Sequence, residues 1–267
     1  MAFGAAPCPR PDSLLIPLET AFLFLGCVAA ATFVQNLTGF AMGLVLLGLV
    51  ELLHVVPLAE AVNATMVLAL VNATAFFRSH GGELPWRPLR HAMPASLAGV
   101  VIGIGLLAWL SANAQQFLRL LLGVVVVLSA LALLLRNRQL AQPSPPAAFA
   151  AAGLLSGVLG GLFATSGPPI VFHLYRQPFE PNFVRRCLTL MFSANNAFRL
   201  VLVAGAGHFS MRSLLLSGMA LPVVYAVTRW CVRHPLPVSE RALRTITALL
   251  LAVTGVSLAA SAGSWPW

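Results

Sequence analysis

Arg199 lies inside an apolar stretch, 187–206, with Asn195 and Asn196 one helical turn before it. A guanidinium keeps its proton whatever surrounds it, so at membrane depth it needs a fixed anionic or polar partner and is usually kept for a task. No Asp or Glu falls within that stretch. The chemistry left for it is recognition of an anion that comes and goes. The guanidinium fork makes paired, charge-assisted bonds to an oxyanion, and an Asn at helical spacing shares its face. In the other half of the chain Thr65 and Asn72 stand seven apart on one helical face, with Asn63 near that helix's start. Such residues also serve simply to bond neighbouring helices. His173 is a candidate proton carrier, although a lone His on an apolar face is also a common packing residue.

These side chains need elements to hold them, and two Gly-rich joints stand out. The first covers 35–43 and contains Asn36, Thr38 and Gly39; the second covers 157–169 and contains Thr165, Ser166 and Gly167, followed by Pro168 and Pro169. Thr38 and Ser166 suit helix caps, and Pro168 suits a first turn, where its missing N–H costs little. Both joints read as breaks between helices. A break at membrane depth is tolerated only where it is buried in protein or lines a cavity. A helix starting there aims free N–H groups and the positive end of its dipole at that space, which favours an anion. The plainer reading is tight packing, because Gly39/Gly43 and Gly157/Gly161 also fit the small-xxx-small pattern of touching helices.

The rest of the chain is built for lipid. Of its 267 residues 59% are hydrophobic and only 9% charged, with mean hydropathy +0.89, which excludes a water-soluble globule. Apolar stretches predict spans at 14–34, 40–56, 61–77, 89–110, 117–135, 147–164, 187–206, 214–232 and 243–260. The piece 167–175 is too short to cross. No basic lead-in precedes the first stretch, which therefore reads as a retained span. The formal charge of +9 maps orientation and does not point to nucleic acid. All sixteen basic residues are Arg, and four clusters gather at 78–90, 136–138, 176–186 and 229–244. By the positive-inside rule these connections face the cytoplasm, with both termini outside. Cysteines at 8, 27, 187 and 231 show no metal or redox spacing, so neither a cofactor nor a metal is expected.

The chain also repeats one plan. Arg87 and Arg212 stand 125 apart, as do Arg119 and Arg244, while Asn72 and Asn195 stand 123 apart. A Pro-rich linker at 139–146 divides a first repeat, 14–138, from a second, 147–262. The Arg map puts the Arg87 loop inside and the Arg212 loop outside, so the halves are predicted to be inverted. The expected fold is an all-α polytopic membrane protein of two inverted-topology repeats, with roughly eight to ten helical segments, some broken or re-entrant. Secondary transporters have this plan, with the binding site near the midplane where the halves meet.

The second joint, with Ser156-Gly157, Gly160-Gly161 and Gly167-Pro168-Pro169, resembles the second-repeat motif of the TauE/SafE sulfite exporter family, roughly S-G-x-x-G-G-x-x-G-x-G-G-P. The first, Gly39-Phe40-Ala41-Met42-Gly43, is similar to that family's first-repeat G-F-G-G-G, with Ala41 and Met42 in place of glycines. Ala164 and Thr165 likewise replace part of the second Gly run. The resemblance implies export of sulfite, an organosulfonate, thiosulfate or a related small sulfur anion, without ATP, by a multi-pass protein of the cell inner membrane. On that reading Asn36, Thr38, Gly39, Asn72, Thr165, Ser166, Gly167, Asn195, Asn196 and Arg199 bind substrate and His173 couples protons. The partners are then the small anion and the lipid bilayer, with homo-oligomerisation left open. Two other readings stand beside it. An anion channel differs only in kinetics, and a membrane-embedded serine hydrolase would use Ser166 with His173 or His208. Against the hydrolase stand the tandem prolines and the duplication. No H-E-x-x-H or Walker motif occurs.

Overall fold

The computed structural model describes residues 17–38, 41–80, 86–113, 115–134, 139–164, 167–207 and 209–234, with isolated positions at 248–249, 252 and 255. The described part is helical throughout: α1 (Leu18–Thr38), α2 (Met42–Leu52), α3 (Leu58–His80), α4 (Trp86–Leu89), α5 (Ala92–Asn113), α6 (Gln115–Leu134), α7 (Pro146–Phe163), α8 (Pro168–Arg176), α9 (Pro181–Gly205) and α10 (Met211–Arg233). Helix starts follow local chemistry. Pro146, Pro168 and Pro181 open α7, α8 and α9, where the fixed proline φ suits a first turn. The Ser210 side chain accepts from the Ser213 N–H to cap α10.

Among the described residues six helices, α1, α3, α5, α7, α9 and α10, are long and apolar enough to cross a membrane. Their outward faces carry Phe22, Ile102, Trp109, Leu155 and Val201 in the open, which is the surface a lipid-facing belt presents. The protein is a polytopic all-α membrane protein. One expected span changes character. The stretch 40–56 does not cross: only Met42–Leu52 is helical there, eleven residues, about 16 Å against a hydrocarbon core of roughly 30 Å. Residues 42–48 of α2 are all buried, because the helix sits between α1 and α3 and needs no polar face. The expected last span, 243–260, lies almost wholly outside the described residues.

Packing crosses between the halves. α5 lies against α7, α10 against α1 and α3, and α3 against α9. The α5–α7 contact is set by glycine. A Cβ on Gly153 would run into the Ala92 carbonyl, one on Gly157 into the Ser96 carbonyl, one on Gly161 into the Val100 carbonyl and one on Gly103 into the Val158 carbonyl. In lipid, where apolar side chains gain nothing by leaving solvent, such backbone approach is what holds helices together. Gly157 and Gly161 are therefore packing residues, and α7 runs unbroken through both.

Candidate functional site

The second break is confined to 164–167. α7 ends at Phe163, with its C-cap Ala164 in the left-handed φ of +53°, and α8 starts at Pro168 after the N-cap Gly167. The two helices form a re-entrant hairpin. Leu140 N donates to Arg176 O at 2.7 Å, and Ser144 N donates to Gln177 Oε1 at 2.9 Å, so the end of α8 returns to the strap that leads into α7. Rings of Phe149 and His173 meet edge to face, centroids 4.5 Å apart, while Gly167 at the tip faces Leu159. At nine residues, about 14 Å, α8 spans half a bilayer.

Arg199 meets the far end of that hairpin. It is 3% exposed, and its only hydrogen bond among the described residues runs from Nη1 to the Gly160 carbonyl at 3.3 Å. Gly160 belongs to the last turn of α7, the negative end of a helix dipole, which steadies a cation. A guanidinium has five donor hydrogens, and the buried Nε has no partner. One neutral carbonyl leaves most of that capacity unused. Asn195 lies one turn away and donates from Nδ2 to Ser96 Oγ on α5 at 2.7 Å; Asn196 donates back to Phe192 O at 3.0 Å. Ser96 is a member of this group that the sequence reading passed over, since its signal is visible only once α5 is known to lie against α7.

A second polar group is built from α1, α3 and α10. Asn36 Nδ2 lies 3.3 Å from Asn72 Oδ1 and 3.2 Å from Thr228 Oγ1, and Thr228 Oγ1 donates to Asn72 Oδ1 at 2.7 Å. Thr228 was likewise not foreseen. The buried Asn36 Oδ1 remains without a donor. Thr65 bonds Ala61 O inside its own helix at 2.7 Å. Asn72 stands fourteen residues after the start of α3 at Leu58 and Asn195 fourteen after the start of α9 at Pro181, so the two occupy equivalent places. The match stops there: the α3 position equivalent to Arg199 is Phe76.

The helix starts supply fewer donors than the joints promise. The N–H of Met42, first in α2, is taken by Gln35 Oε1 reaching across the break at 2.9 Å. Pro168 and Pro169 have no N–H, so of the four backbone groups normally free at such a start only those of Gly167 and Ile170 exist in α8. His173 sits at the base of the hairpin. From Phe149, its ring partner, to Gly160 is eleven residues of α7, about 16 Å, so the structure does not bring His173 to Arg199. Gly39, Thr165 and Ser166 lie outside the described residues, as does the side chain of Thr38. No group of three or more His, Cys, Asp or Glu side chains that could hold a metal occurs among the described residues.

Residues 23–258 match the family described as Sulfite exporter TauE/SafE. The chain belongs to that family. It is 32% identical over 245 residues, covering 92% of this chain and 94% of the other, to a Cupriavidus necator protein named "Probable sulfite/organosulfonate exporter TauE". It is also 28% identical over 188 residues to "Probable inner membrane transporter protein TsaS" of Comamonas testosteroni, covering 67% of this chain and 76% of the other. No solved structure matches. Among the described residues, the one deeply buried Arg of this chain is Arg199, at the end of the α7–α8 hairpin.

Proposed function

We propose that the protein is a secondary transporter that exports sulfite or a related small sulfur anion across the inner membrane by alternating access. The observation that carries this is Arg199: buried, paired with no acid among the described residues, and holding a free Nε at the hairpin's end. Sulfite offers three oxygens, enough to accept from the guanidinium, from a neighbouring Asn and from the N–H groups of Gly167 and Ile170. The near relatives named as exporters or transporters support the substrate class and the membrane. The crossed packing supports inverted repeats: α5 of the first half meets α7 and α9 of the second, and α10 of the second meets α1 and α3 of the first. Export of an anion is favoured by a negative interior, each charge contributing roughly 2.3 kcal/mol per 100 mV.

An ion pair also ties the starts of α3 and α10 together. Arg212 Nε at the start of α10 lies 3.4 Å from Glu60 Oε2 at the start of α3, joining two helices from different halves on the face that carries few Arg. The experiment is efflux of labelled sulfite from proteoliposomes with sulfate, chloride, thiosulfate and taurine as competitors. Saturable efflux inhibited by thiosulfate or taurine and indifferent to chloride is expected. Efflux no faster than from empty liposomes would refute the substrate assignment.

A further inference from the structure

A cavity of about 430 Å3 opens at the base of the hairpin, lined by Arg87 of α4 and by Arg90 and His91 in the turn between α4 and α5, with Ser144, Phe149 and Phe179 opposite. Its position is tied to the hairpin on two sides. Ser144 holds Gln177 at the end of α8 through paired hydrogen bonds of 2.9 Å, and Phe149 carries the His173 ring. The cavity is strongly basic. Arg90 Nε donates to His91 Nε2 at 2.9 Å, which makes Nδ1 the protonated nitrogen of a neutral His91. No acid among the described residues forms an ion pair with Arg87 or Arg90, and each lies exposed at the mouth. The contrast with the other end of the molecule is direct. Arg212, the counterpart of Arg87 by spacing and likewise the second residue of its helix, is neutralised by Glu60. One arginine of the matched pair meets a protein carboxylate and the other is exposed at the cavity mouth with no acid partner among the described residues.

We infer that this cavity is a second oxyanion site, a loading station that takes sulfite or an organosulfonate head from the basic-loop side before it reaches Arg199. Two guanidinium groups at a concave mouth concentrate anions locally, their forks match an SO3 head, and Phe149 and Phe179 offer an apolar wall to a short organic tail. The anion bound here touches the base of the same hairpin whose far end, about 16 Å along α7, meets the Arg199 guanidinium. This inference rests on the proposed transport of sulfur anions.

The test is concentration-dependent uptake of labelled sulfite into inside-out membrane vesicles, comparing wild type with R87Q/R90Q, R87K/R90K and Arg199→Gln. The double Gln variant is expected to raise the half-saturating concentration about tenfold, with a much smaller effect at saturation, and the double Lys variant to recover most of the loss. Arg199→Gln should be slower by roughly 10- to 100-fold at all concentrations. Wild-type uptake with unchanged half-saturation in R87Q/R90Q would overturn the loading site and leave the function standing. No wild-type uptake would sink the function and the loading role with it. Adding phosphatidylglycerol to purified protein in detergent separates the other source of the same chemistry. If that lipid displaces sulfite from the Arg87/Arg90 site and sulfite does not displace the lipid, the cavity is a headgroup site and the loading role is wrong.

Discussion

Arg199 was legible from sequence as a charge in the wrong solvent, but its surroundings were not. Nothing in the order of residues says that the Gly160 carbonyl would be its neighbour, because that contact depends on how α9 lies against α7. The same holds for Ser96 and Thr228, hydroxyls that look ordinary until helices from the other half bring Asn195 and Asn72 against them. Replacing Thr228 with Val keeps the volume but removes the hydroxyl that donates to Asn72 Oδ1 and accepts from Asn36, while the Asn36 amide keeps its bonds to Asn72 and Thr32; the loss should cost about 1 kcal/mol, read as a lower unfolding midpoint in detergent. Ala164 gives the opposite sign. It is buried in a left-handed conformation that costs an L-residue about 1–2 kcal/mol, so Ala164→Gly should raise the midpoint by about 1 kcal/mol equivalent, provided the break keeps its shape. A lower midpoint would mean that the alanine methyl is needed for packing.

At the scale of elements, length was the feature sequence read least well. The stretch 40–56 is as apolar as a span, yet α2 is an eleven-residue half-helix, because burial between α1 and α3 makes the same demand on side chains as lipid does. The second joint was read correctly as a break, but its glycines divide into two kinds that spacing cannot separate. Gly157 and Gly161 let α7 touch α5, while Gly167 starts α8. Gly157→Ala pushes a Cβ into the backbone of Ser96 and should cost roughly 1–3 kcal/mol as overpacking; Gly167→Ala meets only side chains at 3.5 and 3.6 Å and should cost less. Equal losses at the two sites would contradict this division. Glu60→Gln removes the charge that holds α3 to α10 and should speed the separation of those two helix starts while changing stability little, since a partly exposed ion pair contributes at most about 1 kcal/mol. Faster labelling of a Cys placed at Ala64 by a membrane-impermeant reagent, in a background without native Cys, is the expected readout.

Over the whole molecule, composition and the length of the apolar stretches were enough to predict a polytopic all-α membrane protein. The crossed contacts between halves were not predictable, because a repeat in sequence does not say which faces of the two copies meet. The two polar groups are asymmetric. Asn72 and Asn195 sit at the same point of α3 and α9 and only α9 adds a buried cation, so on the proposed function the anion would be held off-centre, nearer the α7–α8 hairpin. The measurement that tests this most directly is sulfite efflux from proteoliposomes carrying wild type, Arg199→Lys or Arg199→Gln, each checked for an unchanged unfolding midpoint. The account predicts partial activity for Lys, a point charge without the fork, and a loss of roughly 10- to 100-fold for Gln, the worth of charge-assisted bonds in a buried site. Wild-type efflux from a folded Arg199→Gln protein would contradict it, and would leave Arg199 as no more than a brace for the end of α7.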